Sequence, residues 1–187
     1  MRTVIFDLDG TLADTSADLI AAANACFRDM GYGNVLDPAR DQGTALRGGR
    51  AMLKLGATRL GLAETVVAPY YQPLLAHYGR RLSEETTLYP GALDAVEELR
   101  ATGYAVGICT NKPEGLAEQL MVELGVRDRF ASLVGADTLP VRKPDPAPFV
   151  AAVEQAGGAV GTSLLVGDTV TDRETARAAG VPCVLVT

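Results

Sequence analysis

The acids of DLDGTLAD (Asp7–Asp14) stand directly behind a short apolar run, and their spacing is the first chemical signal in this sequence. In an extended chain residues i and i+2 share a side, so Asp7 and Asp9 face one way while Leu8 turns to the core. Two carboxylates held that close repel unless a cation lies between them or one carries a proton. An oxygen-only site of this kind suits a hard divalent ion such as Mg2+. Gly10 allows a tight turn, and Thr11 offers a hydroxyl beside it. Helix capping would account for Asp14 and Thr15 but leaves Asp7 and Asp9 unexplained. VGDTVTD (Val166–Asp172) repeats the theme, with Gly167 and Asp168 ending an apolar run and Asp172 just beyond. Acids behind two such runs read as a metal site.

Two more stretches supply donors and cations. ICTNK (Ile108–Lys112) places Thr110 and Asn111 before Pro113. A hydroxyl and free N–H groups at a helix start can hold an anion, although Thr110 and Asn111 taken alone read better as a plain helix cap. RKPDP (Arg142–Pro146) is stiffened by its prolines and carries Lys143. Lysine is scarce: Lys54, Lys112 and Lys143 are the only three among 17 basic residues, and the last two fall in these loops. A compact ammonium is suited to neutralising a phosphoryl group or adjacent carboxylates.

The elements that must position these residues follow from periodicity. Thr3–Phe6, Tyr104–Cys109, Ser132–Gly135, Leu164–Gly167 and Pro182–Val186 read as buried strands. Helical patterns at Gly91–Arg100, Pro113–Leu124, Ala147–Ala156 and Asp172–Ala179 lie between them, with Gly180 and Pro182 as a stop signal after the last. Strands alternating with helices predict an α/β fold with a Rossmann-like parallel sheet and a ligand crevice at the strands' C-terminal ends. The alternation breaks between Asp14 and Thr87. Leu19, Ala23, Phe27 and Met30 trace one helical face, and Val66, Val67, Tyr70, Tyr71, Leu74, Leu75 and Tyr78 another, interrupted at Pro69 and Pro73. A middle helix is expected over Arg47–Leu60, and no strand. The chain therefore divides into a discontinuous core domain, 1–14 with 88–187, and an inserted α-helical cap domain, 15–87.

The totals narrow the chemistry. The chain has 187 residues, 48% of them hydrophobic, and a formal charge of −6, which disfavours nucleic acid and an anionic membrane surface as partners. Any anionic substrate must then rely on locally placed cations or metal. Cys26, Cys109 and Cys183 lack metal-ligand spacing and are odd in number, so buried free thiols in a reducing compartment are expected. No secretory signal pattern precedes the first strand, which begins almost at Met1, and no apolar run approaches a membrane span, so a cytoplasmic protein is expected. With His77 as the only histidine, a Ser-His-Asp triad is ruled out, and GxSxG, the P-loop and GxGxxG are all missing.

DLDGTLAD, ICTNK, RKPDP and GDTVTD, in that order, resemble the four motifs of the haloacid dehalogenase superfamily. The helical insertion resembles its α-helical cap. LYPGALDAVEELRATGYAVGICTNKPEG and VGDTVTDRETARAAGVP are similar to the phosphoglycolate phosphatases within it. The resemblance implies that Asp7 is a nucleophile forming an aspartyl-phosphate and that Asp9 is the acid/base. It implies that Thr110 and Asn111 hold phosphoryl oxygens and that Lys143 steadies nucleophile and phosphate. Asp7, Asp168 and the main-chain carbonyl of Asp9 would ligate Mg2+, with Asp172 in support. The substrate class is a small phosphorylated metabolite, 2-phosphoglycolate foremost, for a monomer or homodimer. Relatives continue past the strand that ends at Thr187, which implies a shortened chain or an incomplete sheet edge.

Other chemistries use similar parts. A phosphosugar mutase shares the core, and a phosphonatase-like hydrolase needs a cap lysine, for which Lys54 is the only candidate. A phospho-accepting receiver module also has an Asp at a strand end, but DLDGT and a large cap are foreign to it. In the insertion, LRGGR (Leu46–Arg50) offers Gly48 and Gly49 for close backbone approach and Arg47 and Arg50 for a substrate carboxylate. Arg47 is favoured because it precedes the expected helix. Arginine is also this chain's ordinary surface cation, so the two readings stand level.

Overall fold

The computed structural model describes residues 2–186; the expectation about the chain end at Thr187 lies outside them. Strand β1 (Thr3–Phe6) is buried along its whole length, as its β-branched composition favours. Two short strands, β2 (Ala13–Asp14) and β3 (Thr87–Leu88), pair with each other at either end of the inserted segment. They were not expected, because two residues carry no readable alternation.

Five helices follow β2: α1 (Ser16–Asp29), α2 (Pro38–Ala45), α3 (Gly49–Leu60), α4 (Glu64–Val67) and α5 (Tyr71–Gly79). After β3 the chain alternates: α6 (Ala92–Ala101), β4 (Ala105–Cys109), α7 (Glu114–Glu123), β5 (Ser132–Val134), α8 (Ala147–Gln155), β6 (Ser163–Gly167), α9 (Val170–Ala179) and β7 (Cys183–Leu185). The large sheet has the order β5-β4-β1-β6-β7, and each of its pairings is parallel. This is the α/β, Rossmann-like parallel-sheet class.

The chain forms two compact units, residues 1–14 with 88–187 and residues 15–87. In the first, Ile5, Cys109, Val134 and Leu165 of the sheet meet Phe149, Val153 and Ala176 of α8 and α9 in one apolar cluster. Burial falls away towards β7, where Val184 and Leu185 remain exposed. That strand is therefore not buried like the others, in contrast to β5, which is buried at the opposite edge of the sheet.

In the helical unit, Leu19, Ala23, Phe27, Met52, Leu53, Leu74 and Tyr78 form the buried interior. Helix α2 was missed: only Asp41 and Ala45 of it are buried, so it has almost no apolar period. Its start signal was legible, since Asp37 Oδ1 accepts from Ala39 N at 2.8 Å and Pro38 stands at the first position. The helix expected from Arg47 begins instead at Gly49, after Gly48 with φ +93°, a conformation that favours glycine. Pro69 falls in a single 3-10 turn between α4 and α5. Pro73 breaks nothing, because it sits in the first turn of α5, where its missing N–H leaves no bond unmade.

Buried acids tie this unit together. Asp18 Oδ2 accepts from Glu85 N (3.0 Å), Thr86 N (2.9 Å) and Thr86 Oγ1 (2.8 Å). Asp41 takes Arg59 through two bonds of 2.6 Å and accepts from Asp37 N at 2.7 Å. The Arg59 hydrogen bonds hold the Asp41 carboxyl below the usual carboxylate range.

Candidate active site

Strands β1, β4 and β6 are neighbours in the sheet, so the residues just beyond their C-terminal ends are brought to one edge. Asp7 continues β1 through its N–H, which donates to Val166 O at 2.8 Å. Carboxylate oxygens of Asp7, Asp168 and Asp172 lie within 4.8 Å of one another. Asp168 is drawn in on both sides. Thr11 Oγ1 donates to its Oδ1 at 2.8 Å, and a Cβ at Gly10 would stand only 2.4 Å from its Oδ2. Gly10 also has φ +87°, so the turn and the close approach both require glycine.

Lys143 sits among these acids with its ammonium 3.0 Å from Asp7 and 2.6 Å from Asp172. Its side chain is 1% exposed, so the ion pairs are shielded from water. Burial opposes the charge on Lys143, yet the carboxylates of Asp7 and Asp172 outweigh it and raise its pKa. Asp172 is fixed from the other side by a capping box, accepting on Oδ2 from Thr169 N at 3.0 Å and Thr169 Oγ1 at 2.5 Å.

Burial pushes the Asp7 carboxyl up to about 7 against the pull of Lys143, with Asp172 and Asp9 adding to the rise. Asp168 is raised as well, chiefly by burial. Four carboxylates thus face two ammonium groups, Lys143 and Lys112, and the site carries excess negative charge when all are ionised. A hard divalent cation fits that donor set. Both Asp172 oxygens already accept hydrogen bonds, which leaves Asp7 and Asp168 as the better direct ligands and Asp172 as their support.

Thr110 is 2% exposed and its hydroxyl accepts from Lys112 N at 3.1 Å. Asn111 is exposed, and its amide donates to Lys143 O at 3.0 Å, joining this loop to the one that carries the lysine. The expected free N–H groups before α7 are partly taken, because Glu114 N donates to Asp137 Oδ1 at 2.7 Å. The Thr110 hydroxyl and the Lys143 ammonium are therefore the stronger anion donors. Nothing in the sequence pointed to Asp137. Lys112 was flagged only by the scarcity of lysine, yet its ammonium lies 2.6 Å from Asp9 Oδ1.

Arg47 and Gly48 lie in the helical unit, in the turn between α2 and α3. Arg47 is exposed and donates to Thr44 Oγ1 at 3.1 Å, while the Arg50 guanidinium stacks on Tyr71 at 3.8 Å. Lys54 is exposed and paired with Glu64 at 2.6 Å, not desolvated as a Schiff-base amine would be. Cys109 is protonated at neutral pH, burial pushing its thiol up to about 12, and Cys183 is only partly buried.

The family model of haloacid dehalogenase-like hydrolases matches residues 4–186. The chain belongs to this family. Phosphoglycolate phosphatases from Agrobacterium fabrum and Rhodospirillum rubrum are 37% and 39% identical to it, over 98% and 99% of this chain and 79% of each relative. The crystal structure of a predicted phosphoglycolate phosphatase from Haemophilus somnus superposes with a TM-score of 0.86 at 26% identity, covering 100% of this chain and 85% of that one. This member of the family is a hydrolase of phosphoric monoesters, similar to the phosphoglycolate phosphatases. Among the described residues no helix is long and apolar enough to cross a membrane.

Proposed function

We propose that this chain is a Mg2+-dependent phosphatase that hydrolyses a small phosphomonoester through an aspartyl-phosphate on Asp7, with 2-phosphoglycolate as its substrate. The observation that carries the reading is Asp7 itself: a buried carboxylate 3.0 Å from Lys143, inside a cluster with more acids than cations. An Asp7 oxygen attacks phosphorus as the ester P–O bond breaks, and Asp9 protonates the leaving alkoxide. Water then attacks the aspartyl-phosphate as Asp9 takes its proton, and phosphate departs with the carboxylate restored. Splitting the displacement in this way replaces one hard step by two easier ones.

Lys143 favours the ionised form of Asp7 against the effect of burial and meets the incoming phosphoryl charge. Thr110 and Asn111 hold phosphoryl oxygens. Mg2+ held by Asp7, Asp168 and the main-chain carbonyl of Asp9, with Asp172 in support, would supply neutralisation of the carboxylate and phosphate charges. The names of the relatives support 2-phosphoglycolate. So does an arginine beside a positive-φ glycine, Arg47 next to Gly48, since a guanidinium can grip a carboxylate through two parallel bonds.

Phosphate release from a panel of small phosphomonoesters, with Mg2+ and with EDTA, tests the activity. Asp9→Asn with an activated ester should slow turnover by on the order of 10²–10⁴-fold and let aspartyl-phosphate accumulate. Full turnover in EDTA, or no covalent phosphate in a quenched sample, would sink the mechanism.

A further inference from the structure

Each acid of the first motif has an ammonium close against it. Lys143 serves Asp7 and Asp172, at 3.0 and 2.6 Å, while Lys112 reaches Asp9 Oδ1 at 2.6 Å. The Lys112 side chain is 4% exposed and that of Asp9 is 16% exposed, so the pair is largely withdrawn from water. Ion pairs gain strength as the local dielectric falls, and a buried ammonium deprived of its partner is strongly unfavourable.

The main chain of Lys112 is pinned as well. Its N–H donates to Thr110 Oγ1 at 3.1 Å, and its carbonyl accepts from Ala136 N at 2.9 Å. The lysine stem therefore leaves from a fixed point, and its ammonium cannot follow Asp9 far. Asp9 in turn raises the Asp7 pKa by repulsion, so an Asp9 free to swing would disturb the nucleophile or compete for Lys143.

We infer that Lys112 is a positioning residue for Asp9, fixing the orientation of its carboxylate towards the reacting group, and that it ties the acid/base to the Thr110 hydroxyl. The inference rests on the acid/base reading of Asp9 proposed above. A lysine placed this way acts on the rate of the chemical step. It adds little to substrate binding, which falls to Lys143, Thr110 and Asn111.

The test is a double-mutant cycle of Lys112→Met with Asp9→Asn, read as kcat and KM for p-nitrophenyl phosphate with saturating Mg2+. Lys112→Met should lower kcat about 10–100-fold, within the range set by acid–base catalysis, and move KM less than about threefold. In the Asp9→Asn background the same change should cost less than about twofold, because the acid/base that Lys112 orients is already gone. Lys112→Gln, which keeps a donor, should recover part of the rate.

If Lys112→Met fails to fold, the cycle is run with Lys112→Gln, whose kcat loss must likewise vanish beside Asp9→Asn. An undiminished kcat loss in the Asp9→Asn background would overturn the positioning role while leaving the acid/base reading intact. A change confined to KM would make Lys112 a substrate cation and also overturn it. Asp9→Asn alone at nearly the wild-type rate would remove the acid/base reading and this inference together.

Discussion

Both units bury aspartates, and they treat them in opposite ways. In the helical unit Asp41 is gripped by both arms of Arg59, and Asp18 accepts three hydrogen bonds on one oxygen. At the sheet edge Asp7, Asp168 and Asp172 crowd together around one lysine. The pKa shifts separate the two cases: Asp41 is lowered by its arginine, whereas burial lifts Asp7 to about 7. A buried acid gripped by a matching cation, as Asp41 is by Arg59, holds architecture. A buried acid whose partners fall short is held ready for something that arrives from outside.

That contrast can be broken most directly at Asp7. Asp7→Asn should reduce phosphate release by on the order of 10⁴-fold or more, as loss of a nucleophile does. In metal-free buffer it should leave the fold as stable or more so. The sign follows from linkage: a folded-state pKa raised above 3.8 means that ionised Asp7 opposes folding, increasingly as pH rises from about 4 to about 7. Melting curves of wild type and Asp7→Asn should therefore diverge between those pH values, the variant higher. A variant that melts well below wild type at pH 8 would make Asp7 an architectural acid like Asp41.

Lys143→Met comes next. It leaves Asp7 and Asp172 without their ammonium, and should destabilise the metal-free protein by about 3–5 kcal/mol. Mg2+ should restore part of that. No loss in a chemical-denaturation experiment would mean that the cluster was never electrostatically dependent on its lysine.

Arg47→Ala asks whether the helical unit is architecture alone. If Arg47 meets the substrate carboxylate, phosphoglycolate hydrolysis should weaken by about 1.5–3 kcal/mol while p-nitrophenyl phosphate hydrolysis changes little. Equal losses on both esters would return Arg47 to a supporting role.

Asp41→Asn should be the smallest effect. Arg59 is 37% exposed, so the pair belongs between surface and buried cases, and about 1–2 kcal/mol of stability is expected to go with unchanged turnover. Asp41 has a lowered pKa, so its contribution is complete above the ordinary carboxylate range and disappears as pH falls through the folded value. Wild type and variant should melt alike in strong acid.

Much of this was legible before any coordinates, for a physical reason. The first four core strands are short apolar runs, and parallel topology then forces their trailing polar residues to one edge, which brought Asp7, Thr110 and Asp168 together. The roles of those residues came from resemblance, not spacing. The partition of the lysines was not legible, because Lys112 and Lys143 choose their carboxylates by three-dimensional reach. Helix α2 escaped notice since a helix with two buried residues leaves no period to read. The exposure of β7 was equally hidden: Pro182–Val186 is as apolar as an inner strand, and nothing in the run itself distinguishes it from β5, the edge strand that is buried.

Strand β1 lies in the middle of the sheet, yet its partners come much later in the chain: Thr3 pairs with Ala105 and Ser163. On a ribosome adding roughly 5–20 residues per second, Asp7 would emerge on the order of ten seconds or more before the strand that completes its surroundings. Until β4 emerges, Asp7 and Asp9 are ordinary solvated acids on a short apolar segment with two unpaired edges. The helical insertion, whose contacts are local, can fold in the meantime and keep the nascent chain occupied. The site is therefore completed late, only when β6 comes in beside β1 and brings Asp168 and Asp172 to acids carried by a much earlier strand.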